Sequence, residues 1–70
     1  MIDLYTALRL TRTSDNECVY LINKSFPDGY EVLTGRRVKE KYDLRKVKVV
    51  HILPWFICGD FQGMEFEIVL

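Results

Sequence analysis

Thr34-Gly35-Arg36-Arg37 opens a segment, Thr34 to Lys48, that carries seven of the chain's ten lysines and arginines against only two acids. These four residues have the chemistry of an anion site: the backbone amides of Thr34-Gly35 and two guanidinium forks could together hold a phosphate or carboxylate. Thr34 can cap a short helix, which places Arg36 and Arg37 in its first turn. The macrodipole and the unpaired amides already present positive charge there, so the two cations call for something negative nearby. That counter-charge is either an acid of the same chain or an anionic ligand. Tyr42, Trp55 and Phe56 supply rings that could stack on the base of a nucleotide.

The lysines have a plainer reading. If the last two apolar segments pair as strands, Lys46 and Lys48 can lie near Glu65 and Glu67, and such cross-strand charge pairs are ordinary surface chemistry. Glu40 and Asp43 offset more of the charge. The chain is formally neutral, which argues against nucleic-acid binding, where affinity comes from counterion release by a basic face.

Trp55, Phe56 and Phe61 gather in "ILPWFICGDF" around a turn. They serve either to complete a thin core or oligomer seam, or as the anchor for a base or a protein partner. His51, the single histidine, shares a face by alternation with Val47, Val49 and Leu53 and reads as a core or interface residue. General-base chemistry needs a reacting group and an orienting partner, and local spacing supplies neither. Phosphate-loop, dinucleotide, zinc-protease and nucleophile-elbow motifs are absent. Asp15 with Glu17, and Glu65 with Glu67, read as surface charge, since nothing beside them would raise one pKa. The expectation is a protein without catalytic residues, cofactor or metal.

The elements that would position these residues follow from periodicity. Asp3 can cap a helix with Leu4, Ala7 and Leu8 on one face, ending near Leu10. "TRTSDNE" reads as a turn. Ser14 and Glu17 match a capping box in outline, but the run Cys18 to Ile22 is β-rich and continuously apolar, predicting a strand covered on both faces. Pro27-Asp28-Gly29 makes a turn into a second strand, Tyr30 to Leu33. A two-turn helix follows from about Arg36 to Tyr42, with Val38 and Tyr42 as its apolar contacts. Val47 to Leu53 alternates as a third strand that ends or kinks at Pro54, and "EFEIVL" forms a fourth. The two are joined as an antiparallel hairpin shaped by Gly59, Asp60 and Gly63. The fold class is α+β, a single domain over residues 1–70, most simply a four-stranded antiparallel sheet with two short helices on one face.

Seventy residues remove only about 60% of the unfolded surface on folding, so a homo-oligomer that buries more is expected. Cys18 and Cys58 lack zinc spacing and are expected as free thiols. The amino terminus has no basic leader before an apolar stretch, and no apolar run reaches membrane-spanning length, so a cytoplasmic protein is expected.

"LYTALRLTRTSDNECVYL" and "KEKYDLRKVKVVHI" together resemble the compact one-domain accessory proteins carried by phages and mobile elements of gut Firmicutes bacteria. The resemblance implies stoichiometric binding: counter-defence proteins that sequester nucleotide immune signals, or anti-CRISPR-like proteins that occlude a host enzyme. It carries no site residue. The sequence therefore leads to a non-enzymatic binding protein. It would hold an anionic, nucleotide-derived ligand at a homo-oligomer interface through Thr34, Gly35, Arg36, Arg37, Tyr42, Trp55 and Phe56. The alternatives are an inhibitor of a host protein and a nucleic-acid-binding module.

Overall fold

A computed structural model describes residues 1–70. The chain runs β1 (Ile2–Asp3), α1 (Leu4–Leu10), β2 (Cys18–Ile22), β3 (Tyr30–Thr34), α2 (Gly35–Lys41), β4 (Lys48–Ile57) and β5 (Asp60–Val69). The α+β class and the order of the main elements agree with the sequence pattern. The sheet differs: it has five strands in the order β1-β4-β5-β2-β3, and β2 runs parallel to β5. The short β1 adds to the outer side of β4, and the passage through α2 returns the chain so that β5 lies beside β2.

Local chemistry sets the helix starts. Asp3 Oδ1 accepts from the Thr6 amide at 2.7 Å, and Leu4, Ala7 and Leu8 are buried, as their spacing predicts. Ser14 and Glu17 make half of a capping box: Ser14 N donates to Glu17 Oε1, while Glu17 N donates to the Ser14 backbone carbonyl instead of its hydroxyl. The box closes a turn into β2 instead of a helix.

Both helices pack on one face of the sheet. Val19, Leu21, Phe66 and Ile68 meet Leu4, Ala7 and Leu8 of α1 and Val38 of α2 in one core. Within β2 only Val19 and Leu21 are buried, while Cys18, Tyr20 and Ile22 point to the other face. The expectation of a strand covered on both faces is thus corrected, because both helices lie on the same side.

The face of His51 is also corrected. A β-bulge at Val50 interrupts the register between Val49↔Ile68 and His51↔Glu67. One extra residue reverses the alternation that follows it. Val47 and Val49 are buried and Ile52 packs against the core, whereas His51 and Leu53 are exposed on the helix-free face. Pro54 neither ends nor interrupts the strand: it pairs with Met64, and β4 continues to Ile57. A missing amide hydrogen is tolerated because the far side of β4 has no neighbour beyond Val49, β1 pairing only with Lys48 and Val49.

Candidate functional site

The outer face of the sheet is built in register rows. Cys18 of β2 lies between Thr34 of β3 and Gly63 of β5, and Gly63 lies opposite Trp55 of β4. The next row is Val32, Tyr20, Glu65 and Leu53, and the third is Tyr30, Ile22, Glu67 and His51. No helix covers these rows.

Gly63 is the position that shapes the face. It is buried, its φ is +151°, and a β-carbon there would collide with the Cys18 carbonyl oxygen. With no side chain between them, Trp55 leans across Gly63 onto Tyr20, bringing the ring centroids to 4.0 Å with a 45° tilt. Tyr20, Tyr30, Val32 and Trp55 line a shallow depression. Burial raises the Tyr20 phenol above its ordinary value, with Cys18 and Tyr30 adding to the effect. It remains a neutral hydroxyl beside an indole.

A hairpin arm extends beyond this surface, with Phe56 alternating to the opposite side from Trp55. β2 first meets β5 at Gly63, so the stretch of β4 and β5 beyond that point stands as a two-stranded ribbon. Its turn is Cys58-Gly59, with φ of 51° and 85°, the left-handed pair that a two-residue hairpin turn requires. Phe56 and Phe61 pair edge to face at 5.8 Å. They are 55% and 51% exposed, and Leu53 and Tyr30 are 53% and 50% exposed. Single exposed apolar residues are unremarkable, but a contiguous group is the usual mark of an interaction surface.

The seven residues that the sequence nominates are not gathered into one pocket. Thr34 caps α2, its Oγ1 accepting from Arg37 N at 3.3 Å. Gly35 N donates to the Glu17 carbonyl and Arg36 N to the Asp15 carbonyl. The amides that would cradle an anion therefore already have partners within the chain, and Gly35 is buried against the Ser14 carbonyl. Arg36 and Arg37 are exposed on the helix layer, Arg37 reaching Glu40 at 3.9 Å. Tyr42 packs against the core with its hydroxyl enclosed and without a hydrogen-bond partner. Burial, and then the neighbouring Glu31 carboxylate, push its pKa up. Trp55 lies on the opposite face of the sheet from α2, and Phe56 lies on the arm. Of the nominated aromatics, Trp55 and Phe56 are consecutive in β4 and so point to opposite faces of the strand, and Tyr42 is apart from both.

The basic segment is matched by acids, though not by those that strand pairing suggested. Lys39 binds Asp15 at 2.7 Å, Lys41 binds Glu31 at 2.6 Å, Arg45 approaches Asp3 at 3.6 Å and Lys46 approaches Asp43 at 4.0 Å. Lys48 stands opposite Val69, and Glu65 and Glu67 face Leu53 and His51. With Lys48 opposite Val69, the register leaves no lysine on the rungs of Glu65 and Glu67.

No group of three or more His, Cys, Asp or Glu side chains is arranged to hold a metal. Both cysteines are free and exposed. No helix is long and apolar enough to cross a membrane. No protein-family model matches the chain, and no curated protein or solved structure matches it significantly.

Tyr20, Tyr30, Val32 and Gly63 escaped the sequence reading as members of one site. The signal was present in part: Tyr20-x-Ile22 and Tyr30-x-Val32 are alternate positions of short strands. The parallel β2–β5 register that sets Gly63 beside Cys18 has no local signature.

Proposed function

We propose that this chain is a non-enzymatic binding protein that acts by occupying a protein partner. It docks through the helix-free face of its sheet and the hairpin arm, with Trp55 and Tyr20 as anchor. The observation that carries this reading is the Tyr20–Trp55 pair over Gly63 on an uncovered face that also exposes Tyr30, Val32 and Leu53. Large rings held rigid on a strand scaffold lose little conformational entropy on binding, which suits them to anchor an interface. Occlusion of a host protein is the role that fits such a surface.

Sequestration of an anionic nucleotide-derived ligand has less to draw on. The α2 amides are occupied, and Arg36 is the one cation at that helix start with no acid within 4.0 Å.

Affinity capture from a bacterial lysate with the wild-type chain and Trp55→Ala tests the proposal. One partner at equal stoichiometry, lost with a folded Trp55→Ala, supports it. Equal recovery by both proteins rejects this face. A phosphorylated small molecule retained by the purified protein in native mass spectrometry would move the function to the ligand reading.

A further inference from the structure

We infer that the partner segment taken by this face is basic as well as apolar, carrying lysine or arginine side chains that meet Glu65 and Glu67. The inference rests on the docking reading above. β5 is the middle strand of the sheet, so these two carboxylates stand at the centre of the outer face, two residues apart. Tyr20 and Leu53 flank the first, Ile22 and His51 the second.

Neither carboxylate takes part in any of the chain's ion pairs, which all lie on the helix side or at the ends of α2. The other charged groups toward this face are few: Lys24 lines a depression beside Glu67 without forming an ion pair to it. His51 lies beside Glu67, and Lys48 stands opposite Val69 at one end without an ion pair. Asp60, at the arm, adds a third acid.

Covering an ionised carboxylate with apolar surface strips its water and returns nothing, which cancels the gain from burying the aromatic rows. A second copy of the chain, docked face to face about a twofold axis through the centre, would add its own two carboxylates to these. A basic segment supplies the missing counter-ions. An extended segment with cations at alternate positions matches the two-residue spacing of Glu65 and Glu67. The aliphatic stems of those cations would lie along Leu53 and Ile22, and a further cation or ring could meet the exposed side of the Tyr20–Trp55 pair. The steering charge of this protein is then acidic, although its sequence is most conspicuous for a basic run.

Selection from a random peptide library displayed on phage tests this, with the full chain, Trp55→Ala and Glu65→Gln/Glu67→Gln immobilised in parallel. The expected result is a set of Trp55-dependent peptides in which net-positive sequences are enriched at least about tenfold over the input. That charge bias should vanish on Glu65→Gln/Glu67→Gln. Trp55-dependent peptides that are neutral or acidic would overturn the partner chemistry and leave the docking face standing. If no enriched peptide depended on Trp55, the docking face and the inference would fall together.

Discussion

Tyr20 and Trp55 come from strands that are not neighbours, yet their rings meet at 4.0 Å because the strand between them carries Gly63 at the crossing point. An aromatic residue laid over a strand glycine covers backbone that would otherwise face water, and it ties three strands together. The same contact holds the two rings in place as a surface feature.

That relationship is measurable as a coupling energy. Tyr20→Leu, Trp55→Leu and the double variant, compared by urea unfolding, should give an interaction of about 0.5–1.5 kcal/mol, the range for aromatic pairs beyond their area burial. Trp55 is the single tryptophan, so Tyr20→Leu should also shift its emission towards that of a more hydrated indole. Additive stability changes with unaltered emission would mean that the rings do not touch.

Gly63→Ala places a methyl group against the Cys18 carbonyl at a left-handed φ of +151°. Both effects oppose the native backbone, and the expected loss is about 2 kcal/mol or more in urea unfolding. Gly59→Ala shares the positive φ but has open space around its β-carbon, so it should cost less. Equal costs would show that the close approach of β2 to Gly63 is unimportant.

Replacing both Arg36 and Arg37 by Ala should change unfolding free energy by no more than about 0.5–1 kcal/mol, because exposed ion pairs contribute little. Binding of the protein partner should persist. A binding loss as large as that of Trp55→Ala would return the functional site to the start of α2.

Acid should weaken the fold through two aspartates. The Thr6 amide, with Arg45 adding, holds Asp3 below the ordinary aspartate value of 3.8, and Lys39 does the same for Asp15. A carboxyl depressed in the folded state contributes stability that is complete above its unfolded pKa and is lost as pH falls through the folded one. The urea midpoint should therefore fall as pH drops through and below 3.8. Asp3→Asn and Asp15→Asn should each make that fall shallower. A midpoint that is flat in this window for the wild type would contradict both contacts.

How far the sequence could be read depended on whether a feature was local. The cap at Asp3, the α1 face of Leu4, Ala7 and Leu8, the turn at Pro27-Asp28-Gly29 and the alternation of Met64, Phe66 and Ile68 each follow from a few adjacent residues, and all appear in the fold. The Val50 bulge was invisible, because a bulge is a relation between two strands, and unbroken alternation puts His51 and Leu53 on the wrong face. The parallel β2–β5 pairing was equally hidden, and with it the place of Gly63. Charge misled in the other direction. The seven basic residues from Arg36 to Lys48 drew attention to α2, but five of them have acids beside them, including Asp3, Asp15 and Glu31 from distant parts of the chain. Glu65 and Glu67, read as ordinary surface charge, are among the acids left without such partners, and the two that stand at the centre of the sheet.

The most direct test of the docking face is photo-crosslinking inside cells, with a photoreactive phenylalanine analogue placed singly at Tyr30, Val32, Leu53 or Arg36. The account predicts one crosslinked partner of the same mass from Tyr30, Val32 and Leu53 on the helix-free face, none from Arg36 on the helix layer, and loss of all adducts when Trp55→Ala is added. Adducts from Arg36 with none from the three sheet positions would contradict it.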